Sequence, residues 1–511
     1  MSTKCVINVD LADVWGEAGR KKFLRTLAWG DEVIVTRQTS TSIEIETVYF
    51  NEQPDGSILP VKEAGVIEPR KSSGIKTADV VRPRNQNDVL KVNCVDVQQG
   101  DGTVIESPDG KVILVDGGDN QLFARYLAGR YRGTTPENPK EIDCILVTHG
   151  DADHFAGLPE ILKSETNRNK RKRLFIQPKR YYHNGIVKRP SKKNGKRVPD
   201  VELLGATRKV GNQTFLTGLE SDLLQVPDAE MNAPFKEWKG ALKEYNKRSK
   251  IEFRRLEFGD KQAFSFFNQG DLRIEVLGPL VTQVGGKPAL RFLGDPPKGP
   301  RVGHESLNLG EEGFKGHSAS HTINGHSIVF RLVYGGFSYL FTGDLNDEAS
   351  RFLTREHNAG RLNLMSEVFK VPHHGSADFS GAMFQAVSPI VSIVSSGDES
   401  ARKEYIHPRA TLVGALGKWS RVSEPLIFVT ELVAFFNVEG WSKLSDPKTK
   451  AQKERGEFFG FSRTAFGIVK TRTNGKRLLV YTDSGNVKMK EAYAYALDSS
   501  GVPQPSVVLR A

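Results

Sequence analysis

Short apolar runs of strand type in this 511-residue chain repeatedly stop at histidine or aspartate, and that pattern constrains the fold more than any other feature. Val112 to Val115 ends at Asp116-Gly117-Gly118, Ile145 to Thr148 at His149, Ser338 to Thr342 at Gly343-Asp344, and Glu367 to Val371 at Pro372-His373-His374. Reactive side chains carried where strands stop, on loops held by a rigid sheet, are the usual arrangement of α/β folds. An α/β fold with one site assembled from several strand ends is therefore expected.

The length predicts about three domains, or one large domain with appendages. Residues 1–70 read as a small β module of the SH3-like barrel kind, from Glu32-Val33-Ile34-Val35-Thr36, the alternation of Ile43 and Ile45 with Glu44 and Glu46, and the Pro54-Asp55-Gly56 turn. Residues 71–88, polar and basic with Ser72-Ser73-Gly74, read as a linker. Residues 89–485 hold the strand-end pattern with a long insertion over about 160–325, Gly/Pro-rich from Gly285 to Gly316, and 486–511 form a C-terminal tail. Val92 to Val97 and Val112 to Val115 are expected to form a hairpin through Ser107-Pro108-Asp109-Gly110. A second hairpin joins Gly467 to Thr473 with Arg477 to Thr482 through Asn474-Gly475. Phe235, Trp238, Leu242 and Tyr245 fall at helical spacing and read as core packing.

Hydrophobic residues make up 38% and charged residues 26%, and no apolar run is long enough to cross a bilayer. The start, Met1-Ser2-Thr3-Lys4-Cys5, soon meets Asp10, Asp13 and Glu17, unlike a secretory signal. A cytoplasmic location without a membrane partner is expected. Cys5, Cys94 and Cys144 are spaced as buried thiols rather than as a disulfide framework.

Five of the eleven histidines, His149, His154, His373, His374 and His407, lie at strand ends or in short loops beside other candidate ligands. In His149-Gly150-Asp151-Ala152-Asp153-His154, alternate residues of a tight loop can face one side, so that 149 and 151 hold one ion while 153 and 154 reach another. Asp344, ending its own strand, can bridge two cations. Two-metal hydrolases hold their ions about 3.5 to 4 Å apart and stabilise both the attacking and the leaving oxygen of a phosphoryl centre.

The order of these motifs resembles the metallo-β-lactamase superfamily, whose signature is H-x-H-x-D-H; here Asp151 stands at the second histidine. In that departure, and in Val95-Asp96-Val97-Gln98-Gln99-Gly100-Asp101, Leu114 to Gly118, Leu340 to Asp344, Lys370 to Ser376 and His407-Pro408, the chain is similar to the nuclease-like domain of the competence protein ComEC and its free-standing relatives. The resemblance runs from about Lys91 to Thr482 without the insertion. It implies an αββα sandwich and metal ligation by His149, Asp151, Asp153, His154 and Asp344, with His373 or His374 and His407 completing the site or moving protons. Asp153, His373, His374 and Asp116 are the expected catalytic residues. His304, His317, His321 and His326 read as ordinary surface histidines. A carboxylate at 151 adds a harder, negative ligand, so two divalent ions are expected, with manganese ahead of zinc or magnesium.

The formal charge of +11 is concentrated. Arg168 to Arg197 holds thirteen Lys or Arg and no Asp or Glu, and without it the chain would stand at −2. Such a segment repels itself unless an anion neutralises it, and Phe175, Tyr181 and Tyr182 offer stacking faces for unpaired bases. Nucleic acid, DNA first, is the expected partner, contacted by Lys170, Arg171, Lys172, Arg173, Lys179, Arg180, Tyr181, Lys192, Lys193, Lys196 and Arg197. The reading is a metal-dependent phosphodiesterase, a DNase, in which a metal-bound hydroxide attacks phosphorus. Analogy adds defence against foreign DNA, with protein partners joined through the N-terminal β module. Two rival readings are a small-molecule hydrolase of the same fold, acting on a lactone, thioester or cyclic nucleotide, and a non-catalytic subunit of a nucleic-acid-handling assembly.

Overall fold

The computed structural model describes residues 2–54, 58–294, 315–397, 407–433, 436–443, 457–463, 467–483 and 491–511. The tip of the Pro54-Asp55-Gly56 turn, His304 and most of the Gly/Pro-rich end of the insertion lie outside them.

Alternation drives the N-terminal module. Ile43 and Ile45 are buried while Glu44 and Glu46 stay partly exposed, so one face of each strand meets a core of Ile7, Val14, Val33 and Ile67. The result is a curled seven-stranded sheet. Its seventh strand, Val81–Pro83, falls in the stretch expected to be a linker and pairs antiparallel with Thr3–Ile7. The expected C-terminal tail is also structured. Ala492–Leu497 and Pro503–Ser506 extend a sheet of the larger domain, and the last residues return to the first module, where Leu11 N–H donates to the Leu509 carbonyl and Asp13 N–H to that of Ala511, each at 3.0 Å.

Two sheets form the larger domain. One has ten strands, in the order Glu252–Arg255, Arg180–His183, Cys144–Leu146, Val112–Val115, Thr103–Glu106, Leu90–Val95, Ile468–Thr473, Arg477–Asp483, Ala492–Leu497 and Pro503–Ser506. The other has six: Leu272–Gly278, Val329–Tyr334, Phe337–Phe341, Val368–Lys370, Val391–Val394 and Leu426–Val429. Their facing sides share one apolar layer in which Val92, Ile113 and Leu146 meet Phe330, Tyr339 and Val391. Helices Leu122–Arg130, Pro159–Ser164 and Ala233–Arg248 cover the outside of the first sheet. Asp347–Asn358, Gly381–Val387 and Ala410–Lys418 cover the second. This is the expected αββα sandwich, and the stripe of Phe235, Trp238, Leu242 and Tyr245 is buried as core.

One expected hairpin differs. Thr103–Glu106 lies between its two strands, pairing with Val112–Val115 across the Pro108-Asp109 turn and with Leu90–Val95 on its other edge. The Asn474-Gly475 hairpin forms as its turn chemistry requires, with Thr473 opposite Leu478.

The topology places the site. Val112–Val115 and Cys144–Leu146 run parallel, so the residues after them emerge at the same edge of the first sheet. Phe337–Phe341, Val368–Lys370 and Val391–Val394 are likewise parallel, and Asp344, His373-His374 and Ser395 follow their ends. Across the apolar layer the two sets of ends meet.

Candidate metal centre

Asp344 is the hub. Its Oδ1 lies 3.1 Å from His154 Nε2, and its Oδ2 lies 3.3 Å from His374 Nε2, 3.8 Å from His149 Nε2 and 3.9 Å from His373 Nε2. Asp153 Oδ2 is 3.4 Å from His374 Nε2 and accepts a hydrogen bond from Gln99 Nε2 at 3.0 Å. One ligand atom from each of Asp153, His154, Asp344 and His374 falls within 4.8 Å of the others.

Local sequence sets these positions. Gly343 adopts φ +49°, and a Cβ there would meet Ser327 Oγ at 2.7 Å and Thr148 Oγ1 at 2.9 Å, so only glycine lets the strand turn Asp344 inward. Asp344 N–H then donates to Ser327 Oγ at 3.0 Å. Asp116, His373 and His374 all have positive φ, near 50–60°, a strained backbone that for non-glycine residues concentrates at functional loops.

Three of the four imidazoles are aimed by a group behind them. Asp116 Oδ2 holds His154 Nδ1 at 2.9 Å, Thr148 Oγ1 holds His149 Nδ1 at 3.1 Å, and the Ser395 carbonyl accepts from His374 Nδ1 at 3.1 Å. Behind His374 lies a buried ion pair in which Lys370 Nζ is 2.7 and 2.8 Å from the two oxygens of Asp101. The opposite ring nitrogens are thereby presented to the centre. Nε2 of His149, His154 and His374 and Oδ1 of Asp344 are buried with no hydrogen-bond partner among the described residues. Buried polar atoms left in that state carry a desolvation cost of about 1–3 kcal/mol each, which a divalent cation would remove. The donor set of three imidazoles and two carboxylates fits such an ion.

Burial keeps His149 neutral by pushing its pKa down to about 4, helped by the neighbouring His154 ring 4.0 Å away. Burial also opposes a charge on His154, but the carboxylates of Asp344 and Asp116 outweigh it and hold its pKa well above the usual value. Asp344 resists protonation despite burial because His374 and His154 surround it. The clustered imidazoles and carboxylates are compatible with a divalent cation.

The centre opens into a cleft of about 700 Å³ lined by Gln99, Asp119, Asp151, His321, Asn324 and His407. His407 stands beside His373, ring centroids 6.3 Å apart, and burial together with the His373 charge lowers its pKa to about 4. Asp151 lies outside the four-residue cluster. Its Oδ1 accepts from Lys188 Nζ at 2.7 Å, and its Oδ2 accepts from the Asn324 amide at 2.9 Å in the orientation that satisfies that amide. Asp116 supports His154 and does not line the cleft.

Two histidines read as surface residues are buried. His321, 9% exposed, lines the cleft with Nδ1 3.4 Å from Asp378 Oδ2, and the Nε2 of His326 bonds the Arg291 carbonyl at 2.7 Å. His317 is exposed. Lys188 and Asn324 carried no local signal in the sequence, whereas Gln99, Asp101 and Lys370 lay inside recognisable motifs without an evident role.

The basic segment is not one loop. It contains the short helix Lys170–Lys172, the strands Ile176–Pro178 and Arg180–His183, and a two-residue-per-arm hairpin, Lys192–Lys193 with Lys196–Arg197. Several of its cations have partners: Lys179 with Glu141, Arg180 with Glu252, Lys188 with Asp151, Arg189 with Glu230. Tyr181, expected to stack on bases, is 1% exposed, packed on His183 and Trp238 inside the core, and Tyr182 is as deeply buried. Lys170, Arg171 and Lys172 and all four hairpin cations are exposed.

Residues 95–197 match the metallo-beta-lactamase superfamily. Over 86 residues, 17% of this chain and 12% of the relative, the sequence is 41% identical to "Competence protein ComA" of Neisseria gonorrhoeae. Over 98 residues, 19% and 12% respectively, it is 32% identical to "ComE operon protein 3" of Bacillus subtilis (strain 168). The chain thus spans 12% of the length of these curated relatives. Among solved structures, a diphosphatase of the PhnP family aligns with 60% of this chain and 86% of its own at 13% identity and a TM-score of 0.24. With the strand-end ligands, the two-sheet core and the matching segment all in place, the chain resembles the metallo-β-lactamase superfamily over residues 95–197 and is similar there to ComEC-type competence proteins.

Proposed function

We propose that the protein is a metal-dependent phosphodiesterase acting on nucleic acid, DNA first. The observation that carries this reading is the Asp344 carboxylate ringed by four imidazoles at 3.1–3.9 Å, at the floor of a cleft wide enough for a nucleotide. Divalent ions held by Asp153, His154, Asp344 and His374, with His149 at the edge, would supply Lewis acidity and a hydrolytic nucleophile, manganese suiting the carboxylates.

The chain's own groups divide the remaining work. His374 is buried and committed to Ser395, so it positions rather than transfers protons. His373 is 27% exposed by side chain and faces the cleft, which suits it to protonate the leaving oxygen. The exposed cations of Lys192–Arg197, a few residues beyond Lys188, which contacts Asp151, would hold the phosphate backbone. Three buried free thiols are consistent with work in a reducing compartment such as the cytoplasm.

The test is hydrolysis of plasmid, single-stranded DNA, RNA and a chromogenic phosphodiester across a metal series, with Asp344→Ala and Asp153→Ala beside wild type. Metal-dependent cleavage of DNA, lost in both variants, supports the reading. Cleavage of small esters alone, or activity indifferent to both substitutions, overturns it.

A further inference from the structure

The resemblance implies two divalent ions, and the position at which this chain departs from the signature is Asp151. Four buried atoms without a hydrogen-bond partner, His149 Nε2, His154 Nε2, His374 Nε2 and Asp344 Oδ1, are grouped about Asp344. The position that would hold a second ion depends on Asp151, and both oxygens of Asp151 are already engaged. One meets an ammonium at 2.7 Å; the other accepts from Asn324, whose amide nitrogen also reaches the Ser320 carbonyl at 3.2 Å. Asn324 sits on the helix Ala319–Gly325, a product of the insertion, with its other amide atom 3.4 Å from His373 Nε2. The Asp151 carboxylate is therefore clamped from two sides, by Lys188 and by Asn324, of which Asn324 lines the cleft.

We infer that Lys188 takes the place of the second cation, so that the centre holds one divalent ion, on Asp153, His154, Asp344 and His374, and the Lys188 ammonium supplies the other positive charge beside it.

The chemistry of the pair supports this. A Lys–carboxylate contact at 2.7 Å, with side chains only 30% and 19% exposed, is screened far less than a surface pair. A divalent ion bound to the same carboxylate would sit a few ångströms from the ammonium, where two like charges repel strongly at the effective dielectric of a partly buried site. An ammonium is a compact charge with three donors, so with one donor spent on Asp151 it retains others for a phosphoryl oxygen entering the cleft. Lysine is also the residue by which the basic segment reaches the site, since Lys188 lies four residues before the exposed hairpin that starts at Lys192. In this arrangement the substitution of Asp for His at position 151 serves to anchor a lysine, not to harden a metal ligand.

The inference rests on the cluster being a metal centre, and the experiment separates the two. Full-length protein is stripped with chelator, reloaded with manganese and, in parallel, with zinc, and its bound metal is counted by elemental analysis and titration calorimetry, with circular dichroism as the check on folding. One ion per chain is expected in wild type and in Lys188→Arg. Asp151→Asn should keep that ion with affinity within about threefold, and Lys188→Met, which releases the Asp151 carboxylate, should bind two. Two tight ions in wild type, loss of the ion in Asp151→Asn, or a single ion in Lys188→Met would each overturn the inference while leaving the metal-dependent reading intact. A wild-type chain that binds no metal at all would overturn both.

Discussion

His154 Nδ1 sits 2.9 Å from Asp116 Oδ2, and the same carboxylate accepts the backbone N–H and the hydroxyl of Thr148, each at 2.8 Å. Three donors from the loop beside the centre thus converge on one buried acid at the end of a neighbouring strand. The consequence is a fixed tautomer: the proton stays on Nδ1, and Nε2 is left to the metal.

Asp116→Asn keeps the shape but cannot accept from all three donors. Loss of such a supporting carboxylate costs about 10–100-fold in metal affinity. Calorimetric titration of the variant should show a drop in that range with near-UV dichroism unchanged. Unaltered affinity would mean that His154 is oriented by packing alone.

Gly343→Ala tests the turn that carries Asp344. The added Cβ would meet Ser327 Oγ at 2.7 Å and Thr148 Oγ1 at 2.9 Å on a backbone already at φ +49°. Both hydroxyls are committed to hydrogen bonds, Ser327 Oγ with Asp344 N–H and Thr148 Oγ1 with Asp116, and Ser327 Cβ would lie at 2.9 Å, so the loop must move. A loss of about 1–3 kcal/mol in unfolding free energy is expected from strain of this kind. Bound metal should fall with it, because Asp344 is displaced; denaturant unfolding and metal content report the two effects separately.

The sequence made most of the centre legible because apolar runs end at its residues, and parallel strands must deliver their ends to the same edge. Asp116, His149, Asp344, His373 and His374 follow from that rule, while Asp153 and His154 stand on the short helix Ala152–Phe155 just beyond His149. Charge alone misleads at Arg180-Tyr181-Tyr182-His183, which is a strand with parallel neighbours on both sides, the setting in which both faces are buried. The clamp on Asp151 joins it to Lys188 and Asn324 through the insertion, contacts no local pattern encodes. The return of Ala511 to Leu11, nearly the whole chain away, is equally silent in sequence, which is why the last strands read as a tail.

A pH dependence of stability should come from the far edge of the first sheet. Glu106 accepts from the Arg130 guanidinium and from the Tyr131 hydroxyl, with only 13% of its side chain and 21% of that of Arg130 exposed. Burial alone would raise the Glu106 pKa, but the Arg130 charge and hydrogen bond reverse that and hold it well below the usual carboxylate range. A depressed folded-state pKa means that its stabilisation is complete above the unfolded value of about 4.3 and is lost as pH falls below it. Wild-type melting temperature should therefore drop between about pH 5 and 2. Glu106→Gln should start lower at pH 7, by about 3 kcal/mol for an Arg left without its partner, and lose less across that window. Parallel curves for the two proteins would refute the assignment.

Nucleic-acid binding, if it follows the exposed cations, should divide the basic segment into two classes. Lys192, Lys193, Lys196 and Arg197 are exposed, the last with 85% of its side chain open, and Arg197 makes a 3.7 Å contact with Asp200. Lys179 and Arg180 instead answer Glu141 and Glu252, and the Arg180 guanidinium lies 4.0 Å from the centre of the Phe266 ring. Each phosphate contact contributes about 0.9 to the slope of log affinity against log salt on duplex DNA. Alanine at the four hairpin positions should flatten that slope by roughly two to four and weaken binding at low salt, whereas Lys179→Ala with Arg180→Ala should leave it within about half a unit. Tyr181→Phe, changing a hydroxyl in the core, should not alter binding to single strands. The reverse outcome, with the paired cations or Tyr181 controlling affinity, would require this segment to refold on the nucleic acid, because the strand Arg180–His183 holds them against the sheet.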